Sequence, residues 1–87
     1  MEYIIQLIEL ASGENDPAAG QYVKEYDPAA HDGRGDLVTT PDKGIARRFP
    51  DMGAATEYLR RPAGIRPDGK PNRPLLAWTT MILPTQA

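Results

Sequence analysis

The chain has 87 residues, 40% of them hydrophobic, with ten Lys/Arg against twelve Asp/Glu and no cysteine. One domain of this size buries only about two-thirds of its unfolded surface, and neither a disulfide, a thiol nucleophile nor a thiolate metal site is available to it. Residues 1–42 hold nine acids and two bases, a net of −7, whereas residues 43–87 hold eight bases and three acids, a net of +5. Charge separated in this way is more readily read as a binding surface than as a catalyst, provided that the halves do not fold against each other and cancel.

Met1-Glu2-Tyr3 leads directly into a strand pattern, with no basic region or small-residue cleavage site, so no signal peptide is expected. No apolar run approaches the length of a membrane span, and a cytoplasmic protein is the expectation. Tyr3–Leu10 is rich in β-branched residues and free of Gly and Pro, which predicts a strand. Strict alternation gives it two apolar faces, Tyr3/Ile5/Leu7 and Ile4/Ile8/Leu10. A loop at 13–20 is followed by a short strand at 21–26, ended by Asp27-Pro28. The acidic, glycine-containing stretch His31–Asp36 then leads to a third strand at 37–40.

Beyond Thr40 the period changes. Ile45, Phe49, Met52, Ala55 and Leu59 fall on one helical stripe, interrupted by Pro50. The expected result is one broken helix: a short piece at 41–48 with Thr40 as N-cap and Pro41 at its first position, then a longer piece at 52–61 capped by Asp51. Four prolines between 62 and 74 predict a loop, and 75–83 reads as a strong last strand stopped by Pro84. The order β-β-β-α-β predicts an α+β domain with a mainly antiparallel sheet and a helix on one face. One helix covers one face only, so the Ile4/Ile8/Leu10 face is expected to meet the 62–74 loop or, in a homodimer, a second copy.

Catalysis has little to stand on, and no cofactor is expected. The single histidine, His31, lies in a solvated loop, and the single serine, Ser12, reads as a turn former. Asp32–Asp36 fails as a calcium loop, because Arg34 and Lys43 stand where ligands belong. Two charged sets remain as candidate partner-binding residues. The acidic set is Glu14, Asp16, Asp27, Asp32 and Asp36. The basic set is Arg47, Arg48, Arg60, Arg61, Arg66, Lys70 and Arg73. Direct nucleic-acid binding is disfavoured by the net charge of −2.

Three stretches are distinctive together: Gly20–Pro28 (GQYVKEYDP), Ala46–Phe49 (ARRF) and Arg66–Trp78 (RPDGKPNRPLLAW). They resemble a family of small uncharacterised proteins of bacterial phages, prophages and mobile elements. Proteins of that size and origin are similar to the phage-encoded inhibitors that include anti-CRISPR proteins. The resemblance implies a stoichiometric inhibitor of a host defence complex, with a CRISPR effector subunit as partner and the acidic loops standing in for phosphates. A phage structural or assembly protein, and a DNA-binding accessory protein using the 47–73 basic segment, are the alternatives.

Overall fold

The computed structural model describes residues 2–85. Four strands form one antiparallel sheet: β1 (Tyr3–Leu10), β2 (Tyr22–Asp27), β3 (Asp36–Thr40) and β6 (Trp78–Pro84), in the spatial order β3-β2-β1-β6. Between β3 and β6 come a single helix α1 (Met52–Arg60), a two-stranded hairpin of β4 (Gly64–Ile65) and β5 (Pro71–Asn72), and a 3-10 turn at Pro74–Ala77. The α+β class and the β-β-β-α-β order are as the sequence implies, with the small hairpin added. Helix α1 starts where expected, since the Asp51 carboxylate accepts the Ala54 N–H at 2.7 Å.

β1 and β2 do not run together over their full length. Their ladder is confined to the Gln6/Tyr22 end, and residues 46–49 occupy the gap that opens beyond it. Arg47 N–H donates to the Val23 carbonyl at 2.9 Å, on the β2 side. Phe49 exchanges both backbone bonds with Tyr3 at 2.8 and 2.9 Å, on the β1 side. A helix at 41–48 is therefore replaced by turns and an extended segment. The cause is the demand of the parted strands for hydrogen-bond partners, which outweighs a weak helical stripe already cut by Pro50. Thr40 caps no helix; its hydroxyl accepts the Asp42 N–H at 3.1 Å in a local turn.

The main core joins Ile5, Leu7 and Val23 of the sheet to Phe49, Ala55, Tyr58 and Leu75. Two bulges decide which side chains reach it. In β2 the register slips between Val23 and Glu25, so Tyr26 shares the helix-covered face with Val23 instead of facing away. In β1 the slip between Leu7 and Glu9 pairs Leu10 with Trp78, a residue packed against the core. Leu10 thus leaves the Ile4/Ile8 face to which alternation assigns it. Ile4 is itself fully buried, while Ile8 is 37% exposed, so the expected open face shrinks to the neighbourhood of Ile8 and Met81. The 62–74 loop does not cover that face. It docks on the β2–β3 loop, where Ile65 N–H donates to the Gly33 carbonyl at 2.9 Å and Asn72 Nδ2 donates to the Arg34 carbonyl at 2.9 Å. The approach requires glycine at Gly35, with φ at +84°, because a Cβ there would stand 2.7 Å from the Ala63 backbone. The last strand is shorter than predicted at its start, since Pro74 opens a 3-10 turn through Ala77.

Tyr26 and Tyr58 tie the sheet to the helix. Their rings stack at 4.6 Å, 5° from parallel. Tyr26 N–H donates to Tyr58 Oη at 3.0 Å, and Tyr26 Oη donates to the Tyr58 carbonyl at 2.9 Å. Tyr58→Phe keeps the ring and strands the Tyr26 amide, so it should lower stability by about 1–3 kcal/mol. Thermal unfolding checks this, at roughly 4–8 °C of Tm for each kcal/mol. A Tm within 2 °C of wild type, a margin well below about 4 °C, would show that water replaces the hydroxyl.

Candidate basic surface

The acidic candidates are not gathered. The β1–β2 loop carries Glu14 and Asp16 at one end of the sheet, and Asp27, Asp32 and Asp36 lie around the β2–β3 loop at the other. Three of the five hold their own turns together. Asp16 accepts from Ala18 N–H at 2.8 Å, Asp27 from Ala29 N–H at 3.1 Å, and Asp36 from Leu37 N–H at 2.7 Å. The other Asp36 oxygen meets His31 Nε2 at 3.1 Å. The Leu37 amide, with His31 next, holds the Asp36 carboxyl below the usual aspartate range. Among the described residues the carboxylates of Glu14 and Asp32 make no side-chain hydrogen bond or ion pair.

The basic set divides more informatively. Arg66 pairs with Asp68 at 2.6 Å in the hairpin turn that also carries Lys70. Arg60 lies in the last turn of α1, where a cation suits the helix dipole, and Arg73 Nε donates to the Arg60 carbonyl at 2.8 Å. Arg48 reaches Glu2 at 3.5 Å, the one ion pair between the acidic and basic halves among the described residues. The hairpin with Arg66 packs on the loop with Asp32, so at that end the opposite charges of the two halves are neighbours.

Arg47 and Arg61 are different. The Arg47 guanidinium carbon lies 4.8 Å from the Tyr58 ring centroid and 5.9 Å from that of Phe49. That of Arg61 lies 5.8 Å from the same Tyr58 ring. Both side chains are exposed, and neither has a carboxylate partner among the described residues. Two elements distant in sequence supply them: the 46–49 insertion brings Arg47, and the residue just past α1 is Arg61. Contact with a ring restrains a guanidinium through its π face and leaves the in-plane N–H groups free. The shallow surface between them is lined by Glu25, Tyr26, Pro28, Tyr58 and Ala63 as well as the two arginines. Chemically, this is a restrained pair of forked donors suited to a carboxylate or a phosphate.

This pairing is not legible in the sequence. Both arginines lie in double-arginine steps, but only the fold brings Arg47 and Arg61 to one tyrosine and separates them from Arg66 and Lys70. Tyr58 and Tyr26, the platform beneath them, lie outside both candidate sets, and Tyr58, which α1 buries with Ala55, is not on the predicted stripe, which assigns Leu59 to the core instead.

Burial, with the neighbouring Tyr58, pushes the Tyr26 hydroxyl well above the ordinary tyrosine range, and the nearby Arg61 opposes the shift only in part. A raised folded value gives stability that is complete below the unfolded tyrosine pKa, about 10, and that is lost as pH rises through the folded value. Alkaline titration followed by phenolate absorbance should therefore show a late ionisation coincident with unfolding. Tyr26→Phe should remove that late step. A Tyr26 that ionises near pH 10 in the folded protein, at about the free value, would contradict the buried geometry.

Comparison with protein-family models, with curated proteins and with solved structures finds no match to this chain.

Proposed function

We propose that this protein is a stoichiometric binding protein of phage or mobile-element origin that inhibits a host defence complex, with a CRISPR effector as the target. The origin and the class of target rest on the resemblance carried by Gly20–Pro28, Ala46–Phe49 and Arg66–Trp78. The contact surface is the arginine pair on Tyr58, and the effector surface it meets is acidic. One observation carries this choice: Arg47 and Arg61 are exposed, ring-restrained and without a carboxylate partner among the described residues. The acids argue against the phosphate-mimic variant, since three of the five are engaged in their own turns and the set is divided between two ends of the sheet.

Restrained donors lose less conformational entropy on binding than free arginines do, so each hydrogen-bonded contact contributes more net affinity. The same donors fit a phosphodiester, which keeps a DNA-binding accessory role as the second reading.

Two sets of substitutions separate these readings. Arg47→Glu with Arg61→Glu should weaken capture of purified CRISPR effector by about tenfold or more, the equivalent of ~1.4 kcal/mol. Asp27→Asn, Asp32→Asn and Asp36→Asn together should leave capture within about twofold, because exposed loop charges contribute little. Circular dichroism establishes that both sets fold. If the aspartate set alone abolishes capture, the acidic loops make the contact and the arginine reading fails. If no effector is captured, but bare duplex DNA shifts in a salt-dependent manner that the arginine set abolishes, the accessory role is correct.

A further inference from the structure

The strand β6 closes one side of the sheet, and among the described residues no strand pairs with its outer edge. Its bonds to β1 can be followed from the two ends of the ladder. Ala11 N–H donates to the Ala77 carbonyl at 2.9 Å, and Thr85 N–H donates to the Glu2 carbonyl at 2.9 Å. The alternation of an antiparallel ladder then assigns Thr79, Met81 and Leu83 to β1. The bulge lies on the β1 strand, at Ile8, and leaves the alternation along β6 intact. The backbone N–H and C=O groups of Thr80 and Ile82 consequently point outward, as do the carbonyls of Trp78 and Pro84. Trp78 N–H is already used, bonded to the Leu75 carbonyl.

Soluble proteins ordinarily protect such an edge with charge, shortness, a bulge or a covering loop. β6 has little of this. It is seven residues long against five for β3, the other edge, which opens on the exposed Asp36. Residues 74–87 contain no charged side chain at all. Pro84 interrupts the edge only at its far end.

We propose that β6 is a self-pairing edge and that two copies of the chain join through it, antiparallel, about a two-fold axis at Met81. The strand's own register supports a second copy as the occupant. With Met81 opposite the partner's Met81, Thr80 falls opposite the partner's Ile82, and Ile82 opposite the partner's Thr80. The groups that point outward are then the groups that face each other, giving four N–H···O=C bonds. No charge meets a like charge anywhere along the strand. The axis stands perpendicular to the sheet, so the pairing is isologous and closed. Met81, 49% exposed on the face that also carries Ile8, meets its own copy there and loses water. The product is one eight-stranded sheet with both helices, and both arginine pairs, on the same face.

The test is the mass of the full chain in solution by light scattering at micromolar concentration, with three variants beside the wild type. The wild type should show twice 9.6 kDa. Met81→Lys places like charges across the axis on a side chain that is half exposed in the monomer. Thr80→Pro removes two of the four bonds. Both should halve the mass without loss of the folded circular dichroism spectrum. Ile8→Asp, on the sheet face and away from the edge, should leave the dimer intact. Hydrogen exchange supplies a readout that a general loss of stability would not mimic. The Thr80 and Ile82 amides should be protected in the wild type and should exchange freely in Met81→Lys, with the β1–β2 amides protected in both. A wild-type mass of 9.6 kDa at every concentration overturns the proposal. So does a dimer that survives either Met81→Lys or a folded Thr80→Pro, or one that Ile8→Asp disperses. Should Thr80→Pro fail to fold, the Met81→Lys mass and the exchange pattern decide alone.

Discussion

The insertion of residues 46–49 between β1 and β2 is the constraint on which the rest of this structure depends. Two strands that part leave rows of N–H and C=O groups that must be paired. Arg47 and Phe49 meet that requirement, one on each side. The insertion fixes the direction in which the chain leaves the sheet, and so where Asp51 caps α1. It also sends Phe49 into the core and, two residues earlier on the same side, sets Arg47 over the Tyr58 ring. Beyond Val23, where the inserted segment no longer reaches, the Tyr26 amide would have no backbone partner. Tyr58 Oη supplies one. Structural and functional candidates therefore meet in the same few side chains.

Charge separation along the chain survives folding only in part. The hairpin after α1 carries Arg66 and Lys70 away from the other bases and packs them beside the acidic β2–β3 loop. The glycines at 35 and 64 allow this backbone-to-backbone contact, which any side chain would obstruct. What remains positive is the smaller surface around Tyr58. Its character comes less from the number of charges than from their restraint. An arginine held against a ring presents its donors in a fixed plane, whereas a free surface arginine must first give up rotamer freedom. The acidic residues, by contrast, largely serve to close turns, a role that Asp fills through its short side chain irrespective of any partner.

The two edges of the sheet differ in kind. β3 is short and opens on an aspartate, while β6 is longer, uncharged and unbulged on its outer side. A stretch of chain that holds no charge from Pro74 onward also contributes Leu75 and Trp78 to the core. Self-association through such an edge would join the binding surfaces of two copies without occluding either, since β6 lies across the sheet from the arginine pair.

Much of the architecture was legible in the sequence because it follows from local rules. Tyr3–Leu10 had to be a strand by composition, Asp51 had to cap a helix that Pro50 could not continue, and the prolines from 62 onward had to end it. The order of elements, and with it the α+β class, followed. What local rules cannot contain is the partner of a backbone group distant in sequence. The 41–48 segment has helical spacing, yet it extends because β1 and β2 part, and neither strand's sequence announces that they do. Nor does alternation reveal the bulges at Lys24 and Ile8, which move Tyr26 and Leu10 to the core face by inserting one residue into a ladder. The candidate site has the same division. The sequence supplied its arginines as members of a basic set of seven, and the tertiary structure selected Arg47 and Arg61, because only the packed helix and inserted segment bring both to one aromatic ring.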